Sequence, residues 1–159
     1  KMMKSAILLD GLKVDYAKPF LKNIFSDISG EVSGKVTLDG PLSKLAVKSE
    51  GTRIDKGMLK IGYTNVPYFV DGPFRLNETG AYFDNLQIKD KATGTGILSG
   101  SINWDHFKNI RFNTHVKVNE IEAINLSAAP GAPFYGNVFA TGNVSITGPV
   151  NFIFLSSLT

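Results

Sequence analysis

Tyr135-Gly136-Asn137-Val138-Phe139-Ala140-Thr141-Gly142-Asn143-Val144-Ser145-Ile146-Thr147-Gly148-Pro149-Val150-Asn151-Phe152-Ile153-Phe154 is the stretch that decides the fold. Its even positions carry Val138, Ala140, Val144, Ile146, Val150, Phe152 and Phe154, whereas its odd positions are mostly Asn, Thr and Ser. A period of two belongs to a β-strand, so this stretch predicts two strands or one long bent one, apolar on one face and hydrated on the other. Gly142 and Gly148 fall on the apolar face, where a missing side chain permits a bend or close backbone approach.

The same rhythm recurs outward from this segment. Ile110, Phe112, Thr114, Val116 and Val118 alternate with Arg111, Asn113, His115 and Lys117, and Val32, Val36 and Leu38 alternate with polar neighbours. Shorter strands are expected at 45–49, 57–61, 66–70, 73–77, 81–88 and 96–104. Ten to twelve strands result, mostly antiparallel neighbours because the connections are short. Between Tyr16 and Ser26, Phe20, Leu21, Ile24 and Phe25 recur at three- and four-residue steps with Pro19 near the front. That spacing predicts one short amphipathic helix, about 17–26, lying as a lid on the sheet. Gly30-Glu31-Val32-Ser33-Gly34-Lys35-Val36 is echoed by Gly96-Ile97-Leu98-Ser99-Gly100-Ser101-Ile102 and, more loosely, from Gly136 onward. Each copy opens a strand with glycines, as in arrays that grow by adding similar strand groups.

Composition narrows the function classes. The chain has 159 residues, no cysteine and two histidines, which excludes disulfides, thiol nucleophiles and cysteine-ligated zinc and leaves little for a histidine-rich metal site. The net charge of +3 comes from 14 lysines and three arginines interleaved with acids, a solvated surface and no nucleic-acid footprint. The longest aliphatic run near the start, Ala6 to Leu9, is far short of the roughly 20 residues that a membrane helix needs. The first residue is Lys1 and the chain stops within strand-like sequence, so it reads as one segment, 1–159, of a longer protein, with strands over about 30–155.

Catalytic patterns are missing. Gly94-Thr95-Gly96-Ile97-Leu98-Ser99-Gly100 is not spaced as a dinucleotide loop, and strand-like residues follow it where a helix should begin. Asp105-His106 lies near serines, but no Gly-x-Ser-x-Gly elbow exists. Asp84, Asp90 and Asp105 are expected in turns, capping their own backbone. The chain is therefore read as no enzyme, with no cofactor and no metal. Alternation alone leaves two destinations for the apolar faces: they close on each other as a sandwich core, or they line an open trough.

Tyr16-Ala17-Lys18-Pro19-Phe20-Leu21 leading to Ile28-Ser29-Gly30-Glu31-Val32-Ser33-Gly34-Lys35-Val36-Thr37-Leu38-Asp39-Gly40 resembles the TamB C-terminal family, within the AsmA-like superfamily. So do Leu98-Ser99-Gly100-Ser101-Ile102-Asn103-Trp104-Asp105-His106-Phe107 and the stretch from Phe134 to Pro149, in the order of a Bacteroidetes-type member. The resemblance runs from about residue 10 onward. It implies a mainly β fold, a long bent antiparallel-rich sheet called a β-taco, with an open hydrophobic groove. It also implies a periplasmic segment of a protein anchored in the inner membrane by a helix outside this chain, working with TamA, a BamA-like outer-membrane partner. The roles implied are phospholipid carriage between the membranes or, alternatively, chaperone-like binding of unfolded outer-membrane β-barrel or autotransporter strands. On the trough reading, Val32, Val36, Leu38, Ile102, Trp104, Phe112, Val116, Val118, Val138, Val144, Ile146 and Phe152 line the groove and meet phospholipid acyl chains.

Overall fold

The computed structural model describes residues 2–22, 25–105, 108–128, 130–131, 136–149 and 154–158. Ten strands lie among them: β1 (Met2–Lys13), β2 (Phe25–Pro41), β3 (Ala46–Ile61), β4 (Val66–Pro73), β5 (Arg75–Asn77), β6 (Gly80–Lys89), β7 (Thr95–Asp105), β8 (Lys108–Leu126), β9 (Gly136–Pro149) and β10 (Phe154–Leu158). They form a single sheet in chain order, except that the short β5 steps aside to pair with β3 and β6. Every ladder in it is antiparallel. Short connections between consecutive strands dictate this meander, since parallel neighbours would need long crossovers.

β8 shows how the alternation becomes a face. Phe112, Thr114, Val116 and Val118 are buried, and Arg111, Asn113, His115 and Lys117 are exposed. At Glu120 the backbone enters the left-handed region (φ 49), its N–H donates to Thr141 Oγ1 at 2.9 Å, and the pairing with β9 jumps from Val118 to Ile121. The bulge adds one residue, so odd-numbered Ile121 continues the buried face begun by even-numbered side chains. The repeated glycines act in the same way. Gly34 (φ 132) sits where β2 slips against β3, and a Cβ there would lie 2.6 Å from Thr52 Cα, so the strand can bend and approach its neighbour only without a side chain.

The bends accumulate until the sheet folds lengthwise. β4 and β8 are separated in the ladder by β6 and β7, yet Tyr68 Oη donates to the Glu122 carbonyl at 2.8 Å and the Asn125 N–H to the Thr64 carbonyl at 3.0 Å. Val70, Ala81, Phe83, Leu86, Ile88, Val116, Val118 and Ile121 form a common cluster between these limbs. The chain nevertheless exposes 10308 Å² for 17.3 kDa, about a third more than the roughly 7,800 Å² of a compact monomer of that mass. A curled single sheet accounts for this surface better than a closed sandwich does.

Several expectations are corrected. Strand structure begins at Met2, not near residue 30: β1 pairs with β2 along nearly its whole length. As an edge strand apolar on both sides, it carries no alternation to betray it. The helical segment is shorter and earlier than 17–26, comprising a 3-10 turn at Val14–Ala17 and an α-turn (α1, Lys18–Leu21). Lys18 Nζ reaches Asp27 at 3.1 Å and Asp15 at 3.4 Å, while Phe25 has already joined the ladder opposite Ile61. The separate strands expected at 45–49 and 57–61 are one strand, β3, which bulges at Lys56 (φ 53). Asp84 lies within β6 and pairs with Arg75 at 3.4 Å instead of capping a turn.

Candidate functional site

The inner face of the curled sheet is the candidate surface, and its middle is filled by its own side chains. Val116 and Val118 belong to the buried cluster, and Ile102, Trp104, Val144 and Ile146 are half-buried against it from β7 and β9. Phe112 is buried one turn of the pleat before Thr114. On the other limb, Val36 is buried and Val32 and Leu38 are half-buried along β2. Val138 is 49% exposed, opposite Ile124 near the start of β9. Phe152 lies outside the described residues. Six of the twelve expected positions are thus brought together around one cluster, three sit together on the β2 limb, and Val138 stands apart.

Sequence reasoning missed Val70, Phe83, Leu86, Ile88 and Ile121, which complete the middle of this face. Within β6 the register with β7 shifts between Phe83 and Leu86, so odd Ala81 and Phe83 share a cluster with even Leu86 and Ile88. The two-residue steps Ala81/Phe83 and Leu86/Ile88 are visible signals, but the slip between them breaks the count.

Several polar groups on and near this face bond to backbone carbonyls or to one another. Thr114 Oγ1 donates to the Ile146 carbonyl at 3.2 Å, Thr52 Oγ1 to the Phe74 carbonyl, and Ser101 Oγ to Asn103 Oδ1 at 2.7 Å. Asp90 is buried in the β6–β7 connection. Its Oδ1 accepts the N–H groups of Ala92 (2.8 Å) and Gly94 (2.9 Å), and its Oδ2 accepts that of Glu122 (2.8 Å). The expected turn-capping role is present, and the second oxygen adds a tie to β8. Burial pushes the Tyr68 phenol up to about 12, helped by the negative Glu122 and Asp90.

A cavity of about 280 Å³ elsewhere, lined by Lys13, Asp15, Ser29, Gly30, Glu31 and Lys56, is polar, with two cations balancing two anions. Among the described residues no group of three or more His, Asp or Glu could hold a metal, and no helix is long and apolar enough to cross a membrane. His115 is exposed and its Nδ1 lies 2.8 Å from Ser145 Oγ, on the wet face as its alternation predicts. What the arrangement offers is a one-sided apolar surface on a curled sheet.

Residues 84–157 match the family model of the TamB C-terminal domain. No curated protein and no solved structure matches the chain. The matched stretch runs from within β6 into β10 and contributes Leu86, Ile88, Val116, Val118 and Ile121 to the central cluster, so it is this part of the chain that is similar to the TamB C-terminal domain family.

Proposed function

We propose that this chain is a periplasmic segment of a TamB-like protein that carries phospholipid between the inner and outer membranes on the inner face of its curled sheet, in support of outer-membrane biogenesis. The observation that carries the reading is a single sheet whose one apolar face faces inward over seven strands, β3 to β9, with the TamB match falling on its second half. Each acyl CH₂ exposed to water costs about 0.8 kcal/mol, so a chain of roughly 16 carbons crossing the periplasm bare costs on the order of 12 kcal/mol. An apolar furrow offsets most of that without any catalyst, metal or fixed stereochemistry. The half-buried side chains Val32, Leu38, Ile102, Trp104, Val144 and Ile146 flank the filled middle and are the surfaces on which an acyl chain would lie. The parent chain supplies the inner-membrane anchor and the contact with the BamA-like partner, TamA.

Native mass spectrometry of the protein extracted with its lipids tests this, with Leu38→Asp on one limb and Val144→Asp on the other. Retained phospholipid in the parent chain and its loss from both variants, with circular dichroism unchanged, is the expected result. Equal retention in all three would sink the proposal.

A further inference from the structure

The wall of the curled sheet has a slot. β6 ends at Lys89 and β7 begins at Thr95, so the hairpin they form stops short of the strands on either side of it. β4 pairs with β6 only at Phe69, Val70 and Asp71, which leaves Val66, Pro67 and Tyr68 with no ladder neighbour on that side. β7 reaches β8 only as far as Asn119, and 120–126 are equally bare on the side facing β4. These two margins are joined by bonds between single groups, with no ladder between them. The Asn125 N–H donates to the Thr64 carbonyl at 3.0 Å, Asn65 Nδ2 to the Asn125 carbonyl at 3.1 Å and Tyr68 Oη to the Glu122 carbonyl at 2.8 Å. At the hairpin end the slot is stopped. Asp90 Oδ2 accepts the Glu122 N–H at 2.8 Å, and a Cβ on Gly94 would lie 2.5 Å from Ile121 Cα.

Behind the seam lies the inner face. Val66 and Val70 are 0% and 2% exposed on β4, and Tyr68 between them packs against the central cluster. Parting the margins uncovers Val66 and leads to that cluster without unpairing any strand. Two features favour parting. Thr64 Oγ1 is buried in the closed seam with no hydrogen-bond partner among the described residues, and water reaches it on opening. Register breaks at Val118/Ile121 and Glu122/Ile124 bracket Glu122, so this end of β8 is held to β9 less regularly than its middle. An inserted strand would have to hold the margins apart by about 4.8 Å on each side of itself, whereas a hydrocarbon chain needs no backbone partner and lets them close behind it. We propose that this slot is a lateral entry through which a phospholipid acyl chain reaches the inner face, shut by a clasp of Thr64, Asn65 and Tyr68 with Glu122 and Asn125. The inference rests on the transport reading above and adds where the lipid enters.

Thr64→Cys combined with Asn125→Cys, in a chain with no other cysteine, locks the clasp as a disulfide. Uptake of pyrene-labelled phosphatidylethanolamine from vesicles of the unlabelled lipid is expected to be about tenfold slower, or more, in the oxidised form than in the same chain reduced. Tyr68→Phe removes one bond of the clasp and should speed uptake about fivefold. In the parent chain the Asn125 amide should exchange about a hundredfold faster than that of Val116, in the middle of β8, because the seam opens without global unfolding. Equal uptake by the oxidised and reduced forms overturns the entry and leaves transport standing. So does an Asn125 amide as protected as that of Val116. Unchanged uptake in Tyr68→Phe counts the same way and decides the matter if the cysteine pair does not fold. No uptake by any form, with Asn125 opening locally, overturns the transport reading and the entry with it; an extended peptide captured there instead assigns the slot to a client strand.

Discussion

Replacing Asp90 loosens the lengthwise fold of the sheet, because this one carboxylate ties the β6–β7 connection to β8. In Asp90→Ala, three backbone N–H groups lose their acceptor: those of Ala92, Gly94 and Glu122, now held at 2.8, 2.9 and 2.8 Å. Ala92 is exposed, so water replaces its bond cheaply, whereas Gly94 is buried and Glu122 half-buried. An orphaned buried donor costs about 1–3 kcal/mol, and bonds to a charged acceptor lie at the upper end, which sums to about 3–5 kcal/mol. For a chain of this size that lowers Tm by about 6 to 20 °C. Asp90→Asn separates the two halves of the tie. Its amide oxygen retains Ala92 and Gly94, but its NH₂ then faces the Glu122 N–H donor to donor, so only the link to β8 is lost, at about 1–3 kcal/mol. Urea unfolding gives the totals, and amide hydrogen exchange locates them: Glu122 should exchange faster in both variants, Gly94 only in Asp90→Ala. If Asp90→Ala unfolds within 1 kcal/mol of the parent chain, or if Glu122 stays protected in it, Asp90 is not the tie argued here.

Gly34→Ala places a Cβ 2.6 Å from Thr52 Cα at φ 132, and thermal unfolding should show a loss of at least about 2 kcal/mol. Lys56→Gly and Glu120→Gly relieve left-handed backbone at φ 53 and 49, so both should be neutral or stabilising by up to about 1 kcal/mol, the reverse of glycine's usual effect within a strand. Tyr68 has a folded pKa of about 12 against 10.0 unfolded, so its neutral phenol favours the fold; this contribution is whole below about pH 10 and is lost as pH rises towards 12. Tyr68→Phe should therefore remove the highest-pH step of the 295 nm titration and flatten the alkaline fall in stability.

The apolar trough proposed above depends on how much of the inner face stays free of its own side chains. Val116 and Val118 are consumed by the central cluster, so acyl chains would have to lie beside it, along Val32 and Leu38 on one limb and Val144 and Ile146 on the other. Lipid contact mapped by photo-crosslinking should appear at these flanks and be weak at Val116.

Period-two alternation is a local property, carried by side chains two residues apart, and so the strand content, the wet and dry faces of β8 and the bending glycines such as Gly34 could all be read from the chain alone. The lengths of β3 and β8 could not, nor could the membership of Phe83, Leu86 and Ile121 in one cluster. Each of those depends on a bulge, at Lys56, near Asp84 or at Glu120, and a bulge is set by the partner strand's register. β1 also escaped notice, since an edge strand apolar on both sides has no rhythm. The choice between a sandwich and a curled sheet was likewise left to contacts such as Tyr68 with Glu122, 54 residues apart, because identical alternation serves either arrangement and only the sum of small bends across many ladders determines which limb meets which.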